Sequence, residues 1–176
     1  MRSVIFYQHG KSEVLELVEL PDPTPPKSHV IIRLSAAALN RIDIFVQTGW
    51  HGLKLELPHI LGADGAGEII ALGEDVTDWK IEDRVVINSN LGCGVCVYCH
   101  KGQDNSYSNR HLLGETVNGT YTKILSFPIY QLFKLPFDFS FEAATISGLV
   151  FLTAWYSLIT RRRLKAKEIV LIVGAS

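Results

Sequence analysis

The chain's three cysteines, Cys93, Cys96 and Cys99, fall in a single run of the sequence. Two overlapping C-x-x-C steps bring three thiolates to one point, the donor set a tetrahedral soft metal such as zinc takes. His100, Asp104 and His111 lie close enough in sequence to supply a fourth ligand, and none has a decisive spacing. A disulfide and a loop without metal are the alternatives. The odd count weighs against the disulfide, as does an N-terminus, MRSVIFYQHG, with no signal-peptide pattern.

Other residues carry chemistry less specifically. Asn40 has an amide able to orient a bound molecule, and it is equally a residue that caps helices. Asp43 sits where the first turn of that helix would favour negative charge. Asp64 lies in Gly62-Ala63-Asp64-Gly65-Ala66-Gly67, whose glycine order is wrong for a dinucleotide fingerprint, so these glycines read as strand bends and close backbone approaches. Thr153 is a mid-helix hydroxyl that can bond back to the preceding turn. Trp50 and His51 lie in a loop able to shape a pocket, or to be exposed without function. The six histidines are scattered, and none pairs with a Ser or Cys in a nucleophile motif.

The elements that must position these residues are mostly strands. Residues 3–7 and 14–18 flank a turn at 9–12 and predict a hairpin. Prolines at 21, 23, 25 and 26 make a surface connection. Strands are predicted at 29–36, 69–72, 84–87 and 119–124, with a short helix over 41–47 ended by Gly49. The cysteine loop spans 88–113. Ser140 predicts an N-cap, with Glu142 in the first turn, and Gly148 separates that helix from a second. In the second helix Leu149, Leu152, Trp155, Tyr156 and Ile159 recur at helical spacing and predict a core-facing stripe. Residues 168–174 form an apolar run ending in Gly174, the pattern of a parallel strand buried on both faces.

With 176 residues, 47% hydrophobic content and a net charge of -1, the chain can bury a sizeable core. It lacks the basic surface that nucleic acid or an anionic membrane requires. The basic run at 161–167 reads as a solvated helix end. No apolar stretch predicts a bilayer span. The expectation is a cytoplasmic protein with reduced thiols and no nucleic-acid or membrane partner.

Taken in order, 38–43 (Ala-Leu-Asn-Arg-Ile-Asp), 61–67, Asp83-Arg84-Val85, the cysteine loop and Thr153-Ala154-Trp155 resemble the medium-chain dehydrogenase/reductase family of zinc-type alcohol dehydrogenases and quinone oxidoreductases. The resemblance implies a mainly β fold with short helices. Residues 1–138 would be a GroES-like, partly open β-barrel catalytic domain, with 88–113 as its structural-zinc-type lobe. Residues 139–176 would be connecting helices and the first strand of a truncated nucleotide-binding domain. It implies an NAD(P)-dependent oxidoreductase acting on a small-molecule substrate, with Asn40 orienting that substrate or the nicotinamide ribose. The family's catalytic-zinc positions fall on Asn40, Ala63 and Leu149, and Ala and Leu have no donor atoms, so no catalytic zinc is expected. Zinc-free relatives carry Asn at the first of these positions. The catalytic candidates are Asn40, Asp43 and Asp64, the last at the position of a family glutamate.

The cofactor-binding candidates are Thr153, matching a threonine that lines the nicotinamide pocket, and Gly174, the first glycine of the phosphate turn. The metal candidates are Cys93, Cys96 and Cys99. The fourth structural-zinc position falls on Tyr107, a poor ligand at neutral pH. Asp104, a neighbouring histidine or water would then complete the site, or it would stay empty. Little turnover is expected from this chain alone, and oligomers only with a complete Rossmann domain. The alternatives are a non-enzymatic GroES-like fragment or interaction module, and a zinc-dependent alcohol dehydrogenase.

Overall fold

The computed structural model describes residues 1–173. β1 (Arg2–Phe6) pairs antiparallel with β2 (Glu16–Glu19), closing the predicted hairpin, and on its other edge with β4 (His59–Ile60). The main sheet has five antiparallel strands in the order β10-β6-β5-β3-β9. They are β3 (His29–Ala38), β5 (Asp64–Leu72), β6 (Arg84–Ile87), β9 (Ile124–Pro128) and β10 (Leu132–Lys134). A two-stranded ribbon, β7 (Asn90–Leu91) with β8 (His111–Leu112), roots the cysteine lobe, which carries the one-turn helix α2 (Val97–His100).

Register explains the core. Ile32 on β3 stands between Ile69 on β5 and Leu125 on β9, and Val30 is opposite Phe127. All five are buried and join Val85, Ile87 and Leu132 in one cluster. Such cross-strand apolar pairs stabilise a sheet beyond its backbone ladder. A second cluster, Phe6, Val46 and Leu61, seats α1 (Arg41–Thr48) on the hairpin. That helix ends at Gly49, whose positive φ and close approach to the His9 ring both require a residue without Cβ.

Ser140 caps α3 (Phe141–Ser147) as expected, its hydroxyl accepting from the Ala143 N–H at 3.1 Å. Arg84 braces the connection before that helix. Its guanidinium donates to the carbonyls of Pro136 (2.8 Å), Phe137 (2.6 Å) and Phe139 (2.7 Å) and lies 4.4 Å from the Phe141 ring centroid. The chain then bends by 44° into α4 (Leu149–Trp155), which continues as π-helix over Tyr156–Arg161.

Three expectations are corrected. The strand expected at 119–124 begins only at Ile124. Residues 119–121 instead hydrogen-bond to Ile60, Gly62 and Leu61 beside the kink at Gly62 (φ 104°). The stripe on the second helix does not face a core: Leu152, Trp155 and Ile159 are exposed, Trp155 by 52%. The amphipathic pattern is real, but no element among the described residues covers it. Residues 168–173 form no strand, and Ile169 and Leu171–Val173 stand in solvent. An isolated strand has no ladder to satisfy its backbone, and no neighbouring strand lies beside it among the described residues. Among those residues, no single helix is long and apolar enough to cross a membrane.

Candidate active-site cleft and metal centre

Folding gathers Asn40, Asp43 and Asp64 into one polar cluster. Asn40 ends the extended chain leaving β3 and is the N-cap of α1. Asp43, the third helical residue, accepts the Asn40 backbone N–H at 2.7 Å and so satisfies a helix-end donor. The same oxygen, Oδ2, accepts the Tyr121 hydroxyl at 2.9 Å. Asp43 is only 4% exposed, and its Oδ1 is buried without a hydrogen-bond partner among the described residues. Burial, and then the adjacent Asp43 charge, push the Tyr121 phenol well above its ordinary pKa, so it stays protonated and donates.

Asp64 opens β5 at 1% exposure. Its Oδ2 accepts from Asn40 Nδ2 at 2.8 Å, and its Oδ1 from the Leu149 backbone N–H at 2.8 Å. Its own carbonyl accepts the Thr120 hydroxyl at 2.8 Å. Burial raises the Asp64 pKa above the ordinary carboxylate value, and the Asn40 and Leu149 hydrogen bonds oppose that rise. Asn40 remains only partly covered, whereas both carboxylates are withdrawn from solvent.

Thr153 lies one turn after Leu149 and donates to its carbonyl at 2.6 Å. It lines a cavity of about 610 Å³ between α4, β6 and the cysteine lobe, with Asn88, Asn90, Arg110, Phe133 and Leu149. Gly174 lies outside the described residues.

The cysteine lobe fits a metal. The three Sγ atoms all lie within 4.8 Å of one another, with Cys96–Cys99 at 3.5 Å and Cys93–Cys99 at 3.8 Å. Thiolates about 2.3 Å from a tetrahedral zinc stand roughly 3.8 Å apart, which matches this spacing. Backbone N–H donation from Val95 leads in lowering the Cys93 pKa to about 7, while desolvation leads in raising Cys99 to about 11. Among the described residues only the three cysteines form that cluster, and Asp104 meets one of them. It contacts the Cys99 thiol, and Asp104 Oδ1 and Cys99 Sγ converge over Gly92, 2.9 and 2.6 Å from where a Cβ would stand.

Sequence reasoning did not single out Tyr121, the Leu149 N–H or the Arg84 brace as partners. Tyr121 is 78 residues from Asp43, and no local pattern marks the pairing.

Residues 26–137 match the profile of the alcohol dehydrogenase GroES-like domain. The chain belongs to that family, the GroES-like catalytic domain of medium-chain dehydrogenases/reductases. It is 30% identical to an acryloyl-coenzyme A reductase of Metallosphaera sedula over 100% of this chain and 52% of that protein. It is 29% identical to a quinone oxidoreductase of Sus scrofa, over 100% of this chain and 46% of that protein. A crystal structure of an NAD-dependent alcohol dehydrogenase superposes with a TM-score of 0.87 at 43% identity, covering 92% of this chain and 47% of that one. The chain thus spans about half the length of these relatives.

Proposed function

We propose that this chain is the substrate-orienting domain of an NAD(P)-dependent oxidoreductase that acts without a catalytic metal. Its reaction would move a hydride to or from a carbonyl, quinone or activated alkene. The observation carrying this reading is Asn40, a partly buried amide held beside the start of α4, at a place where Ala63 and Leu149 offer a metal no donors. Without a Lewis acid, a hydrogen-bond donor must polarise the substrate's oxygen, and the Asn40 amide is such a donor. Thr153 and Leu149, on the wall of the cavity beside α4, would bound the nicotinamide side. The nicotinamide supplies the hydride when bound. Asp43 holds α1 and Tyr121 in place and meets no substrate.

Cys93, Cys96 and Cys99, with Asp104 as fourth ligand in place of Tyr107, would hold a structural zinc. That metal would staple the loop and take no part in the reaction.

Two measurements test the reading. The purified chain, titrated with NADPH by fluorescence, should show no tight saturable binding, because among the described residues no Gly-rich turn leads from a parallel strand into a helix. Tight binding would overturn this division of labour. Elemental analysis should find no more than one zinc per chain, lost with the cysteines. A second, substrate-accessible metal would restore the zinc-dependent alternative.

A further inference from the structure

Among the described residues, Asp64 is the one buried carboxylate whose two oxygens reach two different segments, Asn40 and Leu149, 24 and 85 residues away in sequence. We propose that Asp64 is the positioning residue of the cleft. Its carboxylate clasps the Asn40 amide to the first residue of α4, fixing the face of that amide that a bound carbonyl compound meets. The proposal rests on the reading of Asn40 as the substrate-facing donor and says what holds that donor in place.

An ionised carboxylate only accepts, so the group 2.8 Å from Asp64 Oδ2 must be the NH2 end of Asn40. The amide therefore cannot flip without placing its oxygen against a buried negative charge. One N–H is committed to Asp64, and the second is the donor left for a ligand.

The other oxygen accepts the Leu149 N–H, a free donor of the first turn of α4. Thr153 rides on that turn, so the clasp fixes its distance from Asn40. Gly148 makes the approach possible, since a Cβ there would collide with Asp64 Oδ1. Asp64 itself cannot drift. Its backbone pairs with Ala38 in the β3–β5 ladder, and its carbonyl holds the Thr120 hydroxyl. It makes no ion pair among the described residues, so these two N–H donors compensate its burial.

The test is NMR on the isotopically labelled 176-residue chain. In the wild type, scalar couplings across hydrogen bonds should link both Asn40 Nδ2 and Leu149 N to the Asp64 carboxylate carbon. If either is missing while couplings within the β3–β5 ladder are detected, the clasp does not exist. In Asp64→Asn, Leu149 amide exchange should accelerate roughly 10-fold or more, the loss expected for a hydrogen bond to a charged acceptor. The two Asn40 side-chain protons should move together in shift as the amide gains freedom, while Val30 and Ile32 stay protected. Unchanged Leu149 exchange and Asn40 shifts would overturn the proposal. Should the variant fail to fold, the wild-type couplings decide alone. These spectra do not depend on hydride transfer, so failure of the proposed activity would leave them untouched and remain separately visible.

Discussion

Tyr121→Phe isolates the energetics of the carboxylate cluster, because it deletes one oxygen and leaves the ring in place. In the folded chain that oxygen donates to Asp43 Oδ2 at 2.9 Å, and only the Asn40 N–H shares the acceptor. Asp43 Oδ1 is already buried without a partner. The variant would leave a carboxylate, 4% exposed, with a single donor. A hydrogen bond to a charged buried group contributes about 1.5–3 kcal/mol, and no cavity of consequence forms, so the expected loss is about 2 kcal/mol. For a chain of this size that lowers Tm by roughly 4–8 °C.

Urea unfolding followed by circular dichroism should show a lower midpoint with an unchanged slope. Combining Tyr121→Phe with Asp43→Asn should give a coupling of about 1 kcal/mol or more. The wild type should carry an alkaline signature too. The folded Tyr121 pKa lies above its unfolded value of 10.0, so its contribution is whole below that pH and lost as pH rises further. Tyr121→Phe removes that loss. A destabilisation below about 0.5 kcal/mol, or strict additivity with Asp43→Asn, would show that the hydroxyl is not tied to the buried charge.

Three further outcomes follow from the same structure. Asp104→Asn should weaken zinc at the cysteine lobe by roughly 10-fold or more in chelator competition, while Tyr107→Phe should change it little; the reverse order would place the fourth ligand at Tyr107. Arg84→Met keeps much of the stem but removes three carbonyl contacts, so it should cost about 2 kcal/mol in urea unfolding, and a loss no larger than an ordinary surface change would refute the brace. Burial lowers the His59 pKa below 6.5, so as pH falls through 6.5 the unfolded chain takes up a proton the folded chain refuses. Stability then declines by at most about 1.4 kcal/mol per pH unit until the folded pKa is reached; His59→Gln, compared with wild type, should flatten that slope, and parallel profiles would refute the assignment.

What the sequence disclosed was what is locally encoded. β3 and β6 follow from short apolar runs, α1 from Asn40 and Asp43 at cap spacing, α3 from Ser140, and the thiol cluster from two C-x-x-C steps. What it concealed depends on distance or on a partner. The Tyr121–Asp43 and Leu149–Asp64 contacts close loops of 78 and 85 residues, and neither leaves a periodic trace. The stripe on α4 shows the limit of periodicity: spacing reports that a helix has an apolar face, not that anything covers it. The apolar run at 168–173 fails for the same reason, since pairing is a property of two strands and one strand's composition cannot supply it.

The zinc-free reading draws its force from how Asp64 is used. Both Asp64 oxygens accept from N–H groups at 2.8 Å, so only their second lone pairs are left for a cation in the cleft. Turning the carboxylate onto a metal would strain the Asn40 and Leu149 hydrogen bonds together. Ala63 and Leu149 could return nothing for that loss. On the proposed reading, a cleft held by hydrogen bonds would polarise a substrate oxygen by hydrogen bonding, and Asn40 is the member of the cluster that is not fully buried.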